Sequence, residues 1–371
     1  MQITIEKILQ RKGKLKAKKI ALLTGVTRKE VNQFLYSHED LYTKDEENFW
    51  DLAGNKPIIR IGGAKWVSAK ELNKCLQEAG DIFGSDNATI RLVIEPNVSI
   101  LIDAAAMLLS LCNQLSVEGV AVELDFSRNT MVRGYLYRMG FVKLLHKDVV
   151  VKPQGANNIE PRSTRNPSSS LFELSEILPG EEEGGRLPVD LCNKLEPFLS
   201  NGSVSIYRQV FAELIGNVRH ADTQITSFVG LQAYSGARPN VKIVISDSGK
   251  GIIAQLKPSM FNLHSELITL YRKGDKTFEE KVLFCMFSKG SISKSYDEED
   301  RREDKLVKGG MGLSYLGSLG CNISVRQSNF SVTFISNGGE LYMKDVTKEL
   351  PRIKGTHICC EFFLTTDHVS R

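Results

Sequence analysis

No two of the seven cysteines form a C-x-x-C pair, and no histidines stand near them at zinc-ligand spacing. Cys75, Cys112, Cys192, Cys285, Cys321, Cys359 and Cys360 are scattered, which excludes a zinc module and a disulfide framework and reads as free thiols in a reducing cytoplasm. No apolar h-region follows the basic residues of the amino terminus, and the most apolar helical stretch, Ile100 to Leu115, is interrupted by Asp103 and Asn113. The expectation is a cytoplasmic protein with no membrane segment. There is no repeat of solenoid period and no G-x-x-x-x-G-K-[ST] pattern to form a P-loop. Neither sign of charge dominates: 48 Lys and Arg against 44 Asp and Glu leave +4, too little to imply a polyanion partner by itself. What is present is ordinary globular composition, 42% hydrophobic and 25% charged over 371 residues, long enough for two or three domains.

The first segment, residues 1–55, opens with a short helix from Ile3 to Leu9 and a run dense in positive charge, Arg11 to Lys19. Next comes a helix, a Thr-Gly-Val turn and a second helix that starts at Thr27 with Glu30 three residues on, a capping box. L-Y-T-K-D-E-E-N-F-W-D-L then supplies a wing. The order resembles a winged helix-turn-helix, and V-N-Q-F-L-Y-S is similar to winged helices of the Z-nucleic-acid-binding type. That resemblance implies a nucleic-acid partner, with Arg28, Lys29, Asn32 and Gln33 offering donors to a groove and Lys14, Lys16, Lys18 and Lys19 meeting phosphates. Glu30, Asp45, Glu46 and Glu47 oppose it, and a protein-docking role stays open.

Strand and helix signals alternate from 56 to 150, which argues for an α/β layer fold. Strands fall at Pro57 to Ile61, Thr89 to Glu95 and V-A-V-E-L-D-F, with helices at Ser68 to Gly80, from Ile100, and near Met131 to Met139. With Y-L-Y-R-M-G-F near its end, the order resembles a STAS-type domain, which implies a platform for a protein partner or for dimerisation. No Asp-Ser phosphoacceptor precedes the helix, although Ser99 stands near that place. Residues 151–188 then lose periodicity among five prolines, a Ser168 to Ser170 run and E-E-E-G-G, and read as a linker in which Leu171 to Leu178 could dock.

Three blocks mark the last segment, 189–371. Phe211 to Ala221, F-A-E-L-I-G-N-V-R-H-A, reads as a helix with Glu213, Asn217 and His220 on one face and Leu214, Ile215 and Val218 on its apolar side. Val241 to Ile252, V-K-I-V-I-S-D-S-G-K-G-I, is a β-branched run ending in an acid and two closely spaced glycines. Lys308 to Leu313, K-G-G-M-G-L, leads into the helix-like S-Y-L-G-S-L-G. In this order the blocks resemble the N, G1 and G2 boxes of the GHKL ATPases: gyrase, heat-shock chaperone ATPase domains, MutL and the histidine kinases.

The resemblance implies a Bergerat-type α/β sandwich that binds ATP and Mg²⁺. Asn217 matches the asparagine that holds Mg²⁺, and Glu213 the acid that activates the attacking water. His220 touches phosphate or caps the helix end. Asp247 matches the acid that accepts the adenine amino group, and Gly249 and Gly251 let backbone approach the nucleotide. Gly309, Gly310, Met311, Gly312 and Leu313 put glycine amides at a helix amino terminus, where phosphates are favoured. Lys294 in M-F-S-K-G-S-I-S-K, with Lys289 as the alternative, matches the lysine that meets the terminal phosphate. Thr356 in the late Gly-Thr reaches the adenine pocket, directly or through water. The fold expected is therefore multidomain α/β. The activity expected is a slow Mg-dependent ATPase switch that controls a nucleic-acid or protein partner, with two modules associating as a homodimer. Two alternatives stand beside it: a serine/threonine kinase of the anti-sigma-factor type, and a non-enzymatic ATP-sensing regulator of DNA.

Overall fold

The computed structural model describes residues 2–39, 41–52, 57–80, 82–83, 89–153, 171–178, 185–198, 204–219, 225–235, 237–254, 265–275, 277–289, 312–337 and 339–364. Helix α1 (Gln2–Lys12), strand β1 (Leu15–Lys16), α2 (Ala17–Thr24) and α3 (Arg28–Tyr36) precede a hairpin of β2 (Tyr42–Lys44) and β3 (Phe49–Leu52). β1 joins the hairpin in the order β1-β3-β2. Local chemistry sets the helix ends: Gly25, at φ 73, stops α2 in the left-handed region, and Thr27 and Glu30 cap α3 reciprocally. Ile5, Leu9, Ile20, Val31, Leu35 and Trp50 close a small core of their own.

The second group is α/β throughout. β4 (Ile58–Ile61), β5 (Trp66–Val67), α4 (Ala69–Ala79), β6 (Thr89–Ile94), β7 (Ser99–Ile100), α5 (Ile102–Val117), β8 (Ala121–Asp125), α6 (Thr130–Arg138), α7 (Phe141–Leu144) and β9 (Val150–Lys152) follow in turn. β4-β6-β8-β9 form a parallel sheet, and β5 and β7 pair separately. β6 is buried at every position but the first, as a central parallel strand covered on both faces should be. Arg60 of β4 reaches back to Glu6 of α1 through Nε at 2.6 Å and across to Glu95 through Nη1 at 2.7 Å, tying the first group to the second by charge.

The third group begins with β10 (Leu171–Ile177), α8 (Arg186–Leu195), α9 (Val204–Arg219), β11 (Ser227–Tyr234) and β12 (Asn240–Ser246). It continues through α10 (Ser265–Arg272), α11 (Phe278–Lys289), α12 (Gly312–Ser318), β13 (Asn322–Ser328), β14 (Phe330–Asn337), β15 (Glu340–Thr347) and β16 (Ile353–Phe363). Its seven strands pair antiparallel in the order β10-β11-β12-β16-β13-β14-β15. The front face of this sheet, with Ile243, Ile245, Ile323, Val325 and Ile358, packs on Leu191, Phe211, Leu214 and Leu316.

The stretch 151–188, read above as a linker, needs correction at both ends and in the middle. Val150–Lys152 pairs with β8 and belongs to the parallel sheet, Leu171–Ile177 is the edge strand against β11, and α8 already starts at Arg186. The prolines and serines of that stretch masked an L-F-E-L-S-E-I segment whose pairing partner lies some fifty residues downstream, beyond the reach of any local signal.

Helix α5 joins the second and third groups. Every residue from Ile102 to Leu115 is buried, because the helix lies between the parallel sheet and the back of the antiparallel one, and a helix covered all round is apolar all round. Its core includes Leu92 and Leu124 from one sheet and Phe228, Val244 and Cys359 from the other. The polar residues that interrupt it are joints. Asp103 Oδ2 meets Lys242 Nζ of β12 at 3.2 Å and also accepts the Ala69 N–H at 3.1 Å. Asn113 donates to the Leu144 carbonyl and accepts from the His146 N–H. Burial pulls the Lys242 ammonium down, but the Asp103 carboxylate, with lesser help from Cys359 and Glu361, more than offsets it and holds the pKa above the ordinary lysine value. Asp103→Ala leaves that ammonium buried and unpaired, so urea unfolding should show a loss of about 3–5 kcal/mol. A loss below about 1 kcal/mol would give the pair the standing of a surface bridge.

Candidate functional site

Strand β12 runs out at Ser246 beside β16, with Ser246 opposite His357, and this register brings Asp247 against Gly355 and Thr356. Asp247 N–H donates to the Thr356 carbonyl at 2.9 Å, and the Thr356 N–H returns to Asp247 Oδ2 at 3.1 Å. Gly249 N–H donates to Oδ1 at 2.8 Å, so both oxygens of the buried carboxylate are oriented by backbone amides. Thr356, also buried, accepts the Ile252 N–H on Oγ1 at 3.0 Å. The closeness depends on two glycines with left-handed φ. At Gly355 a Cβ would lie 1.8 Å from the Asp247 carbonyl oxygen, and at Gly251 it would lie 2.8 Å from Gln327 Nε2. Lys250, between Gly249 and Gly251, points to solvent.

Helix α9 packs on the same core as Ile245 and Ile253 through Leu214, Ile215 and Val218. Glu213 is half-buried and Asn217, one turn on, is exposed. Leu313, in the first turn of α12, is buried in this core with Leu316, so its side chain serves packing. Gly312 begins that helix. His220, Lys294, Gly309, Gly310 and Met311 lie outside the described residues, and so does the side chain of Lys289. The structure thus gathers Asp247, Gly249, Gly251 and Thr356 into one hydrogen-bonded corner and sets α9 and α12 on the same core.

Gln327 was missed from the sequence. It stands opposite Thr356 across β13 and β16, is buried, and its Oε1 has no partner among the described residues. It sat in a run legible only as a strand, so no local pattern set it apart. Behind the corner, Gln114 of α5 donates to Ser248 Oγ and to the Lys354 carbonyl, each at 2.9 Å, and accepts the Lys354 N–H at 2.7 Å. Ser110 Oγ lies 2.9 Å from Ser246 Oγ. The two residues flanking Asp247 are therefore held by the helix of the parallel-sheet group.

In the first group, Lys18, Lys19, Arg28 and Lys29 are exposed, Lys16 is exposed with its ammonium 4.8 Å above the Phe49 ring, and Asn32 is half-buried. Lys14 is engaged with Asp45 at 2.9 Å, and Glu30 turns its carboxylate onto Thr27. Two of the acidic residues that oppose a nucleic acid are thereby occupied. Tyr36, one turn beyond Asn32, was also overlooked, although its i,i+4 spacing from Asn32 was the available signal. It is exposed, meets the buried Trp50 edge-on at 4.9 Å, and receives a hydrogen bond from Lys44 Nζ at 2.8 Å.

All seven cysteines are free, and among the described residues no helix is long and apolar enough to cross a membrane. Among those residues no three His, Cys, Asp or Glu side chains gather at metal-binding range either. No family model, no curated protein and no solved structure matches this chain.

Proposed function

We propose that the carboxy-terminal group binds ATP with Mg²⁺ in the manner of the GHKL ATPases, as a Bergerat-type sandwich, and works as a slow ATPase switch. The observation that carries the reading is the Asp247 corner. A buried carboxylate held by the Gly249 and Thr356 amides, beside two glycines that leave no room for a Cβ, suits the edge of an adenine with an amino group to donate. The amide oxygen of exposed Asn217 suits a hard cation such as Mg²⁺. Mg²⁺ held by Asn217 would neutralise charge on the phosphates, while Glu213 would orient water for attack and Asp247 would select the base. In this reading the first group is a winged helix that holds nucleic acid, and the parallel-sheet group is a STAS-like platform for a protein partner. α5 carries the nucleotide state to the parallel-sheet group, because it touches both neighbours of Asp247.

Radiolabelled ATP with Mg²⁺, followed for phosphate release and for protein labelling, tests the catalytic part. Wild type should release phosphate slowly, and Glu213→Ala should lose about 10²–10⁴-fold in rate while keeping ATP affinity. Unchanged release in the variant would remove Glu213 from the chemistry, and label on this chain would make it a kinase. The nucleic-acid part has its own test. Replacing Lys16, Lys18 and Lys19 together with Ala should weaken binding at low salt and reduce the slope of log affinity against log salt by about 2–3. An unaltered slope would move the contact off α2.

A further inference from the structure

A cavity of about 240 Å³ lies behind the antiparallel sheet, between its β13, β14 and β16 strands and helices α4 and α5. It is not the Asp247 corner, and nothing above assigns it a role. Arg326 of β13 and His357 of β16 stand directly opposite each other in the sheet, and both line the cavity. Arg326 is 4% exposed, and its partners are neutral: Nη1 donates to Asn73 Oδ1 at 2.6 Å and Nη2 to the Pro351 carbonyl. Its Nε has no partner among the described residues. His357 is 8% exposed, with Nδ1 at 2.5 Å from Ser246 Oγ and Nε2 without a partner among the described residues.

The carboxylates that line the cavity are committed elsewhere. Asp103 holds Lys242, Asp345 holds Lys70 at 2.6 Å, and Glu361 accepts from the Asn322 amide at 3.1 Å. Lys242, Glu361 and Asn322 share one register row, four residues along the strands from the row of Ser246, His357 and Arg326, about 13 Å away. The acidic end and the arginine end of the cavity are therefore distinct, and Asp103 Oδ1, which also lacks a partner among the described residues, belongs to the acidic end. The amino terminus of α4 adds nothing here, because Asp103 and Ser68 already accept from its first amides.

We infer that the arginine end of this cavity is a binding site for a small oxyanion of phosphate size, held by Arg326 and His357. A buried guanidinium without a carboxylate is an uncompensated charge, and an oxyanion supplies the missing partner in the geometry that guanidinium favours. Burial alone pulls Arg326 down to about 9, so the cation persists at neutral pH and lacks only its counter-ion. Burial first, and the Arg326 charge second, push His357 down to about 3, so the ring is neutral and keeps one N–H. In the tautomer in which Ser246 donates to Nδ1, that hydrogen sits on Nε2. Arg326 Nε–H, and His357 Nε2–H in that tautomer, are buried donors without a partner among the described residues, and an anion at this end of the cavity would meet them once the side chains that cover them give way. Lys344, exposed at the rim, adds a further positive charge at the mouth.

Ser331 lies opposite Arg326 on β14, is half-buried and lines the same cavity, so Ser331→Glu places a carboxylate where the anion would sit. Thermal unfolding of the full chain, without nucleotide, in inorganic phosphate against chloride at equal ionic strength, tests the site. Wild type should melt about 2 °C or more higher in phosphate. Ser331→Glu and Arg326→Met should both lose that increment, and if Arg326→Met fails to fold, Ser331→Glu decides. Malonate in place of phosphate separates a carboxylate ligand from a phosphoryl one, since the ligand of the matching class gives the larger rise. No rise in wild type, or an equal rise in Ser331→Glu, would overturn the inference, the second outcome placing phosphate elsewhere, such as at the glycine-rich block.

Discussion

Gly355→Ala should lower stability by about 3 kcal/mol or more and abolish ATP binding in the same protein. Its Cβ would fall 1.8 Å from the Asp247 carbonyl oxygen, 2.5 Å from the carbonyl carbon and 2.7 Å from Ser248 Cα. All three are backbone atoms, so no side chain can swing aside, and β16 or the Asp247 turn must move. Gly355 also sits at φ 88, a conformation that costs an alanine about 1–2 kcal/mol before any clash. Overpacking of this kind adds about 1–3 kcal/mol, occasionally more. Gly119 is the control, with φ 84 and nothing within 4 Å of the added atom. Urea unfolding should show Gly119→Ala paying the backbone term alone. Equal losses for the two variants would mean that the contact between β16 and the Asp247 turn is loose.

Asp247→Asn should weaken ATP binding by about 10–100-fold or more, and it should not be neutral for the fold. Both carboxylate oxygens accept backbone N–H groups, from Gly249 and from Thr356. However the new amide is turned, its NH₂ faces one of those donors, so a buried N–H loses its acceptor at a cost of about 1–3 kcal/mol. The same exchange presents a donor where the adenine amino group would also donate. Calorimetric titration and a thermal melt on one preparation separate the effects. Full ATP affinity beside a lowered melting temperature would make Asp247 a structural cap for the β12 turn and nothing more.

What the sequence made legible was what local chemistry decides. The capping box at Thr27, the alternation of strands and helices from Ile58 to Leu144, and the run ending at Ser246 all appear where periodicity and turn residues put them. What it hid was pairing over long separations. β10 looked like linker because its partner strand is far downstream. Lys242 sits inside a β-branched run, and its counter-ion lies 139 residues earlier. Ser110 and Gln114 take their role only from α5 lying against β12 and β16. The same holds for Arg326, His357 and Gln327, which alternate correctly within strands and acquire their chemistry from the neighbouring strand. The candidate acid and the late threonine could be read as motif members, but their mutual hydrogen bonds follow from β12 and β16 being neighbours.

The most direct test of the ATP reading is calorimetric titration of the full chain with ATP, and separately with GTP, in excess Mg²⁺. The Asp247 corner predicts saturable ATP binding and GTP affinity at least about 10-fold weaker, because guanine offers a carbonyl where adenine offers an amino donor. No heat with either nucleotide would contradict the nucleotide site itself, and equal affinity for both would contradict Asp247 as the residue that reads the base.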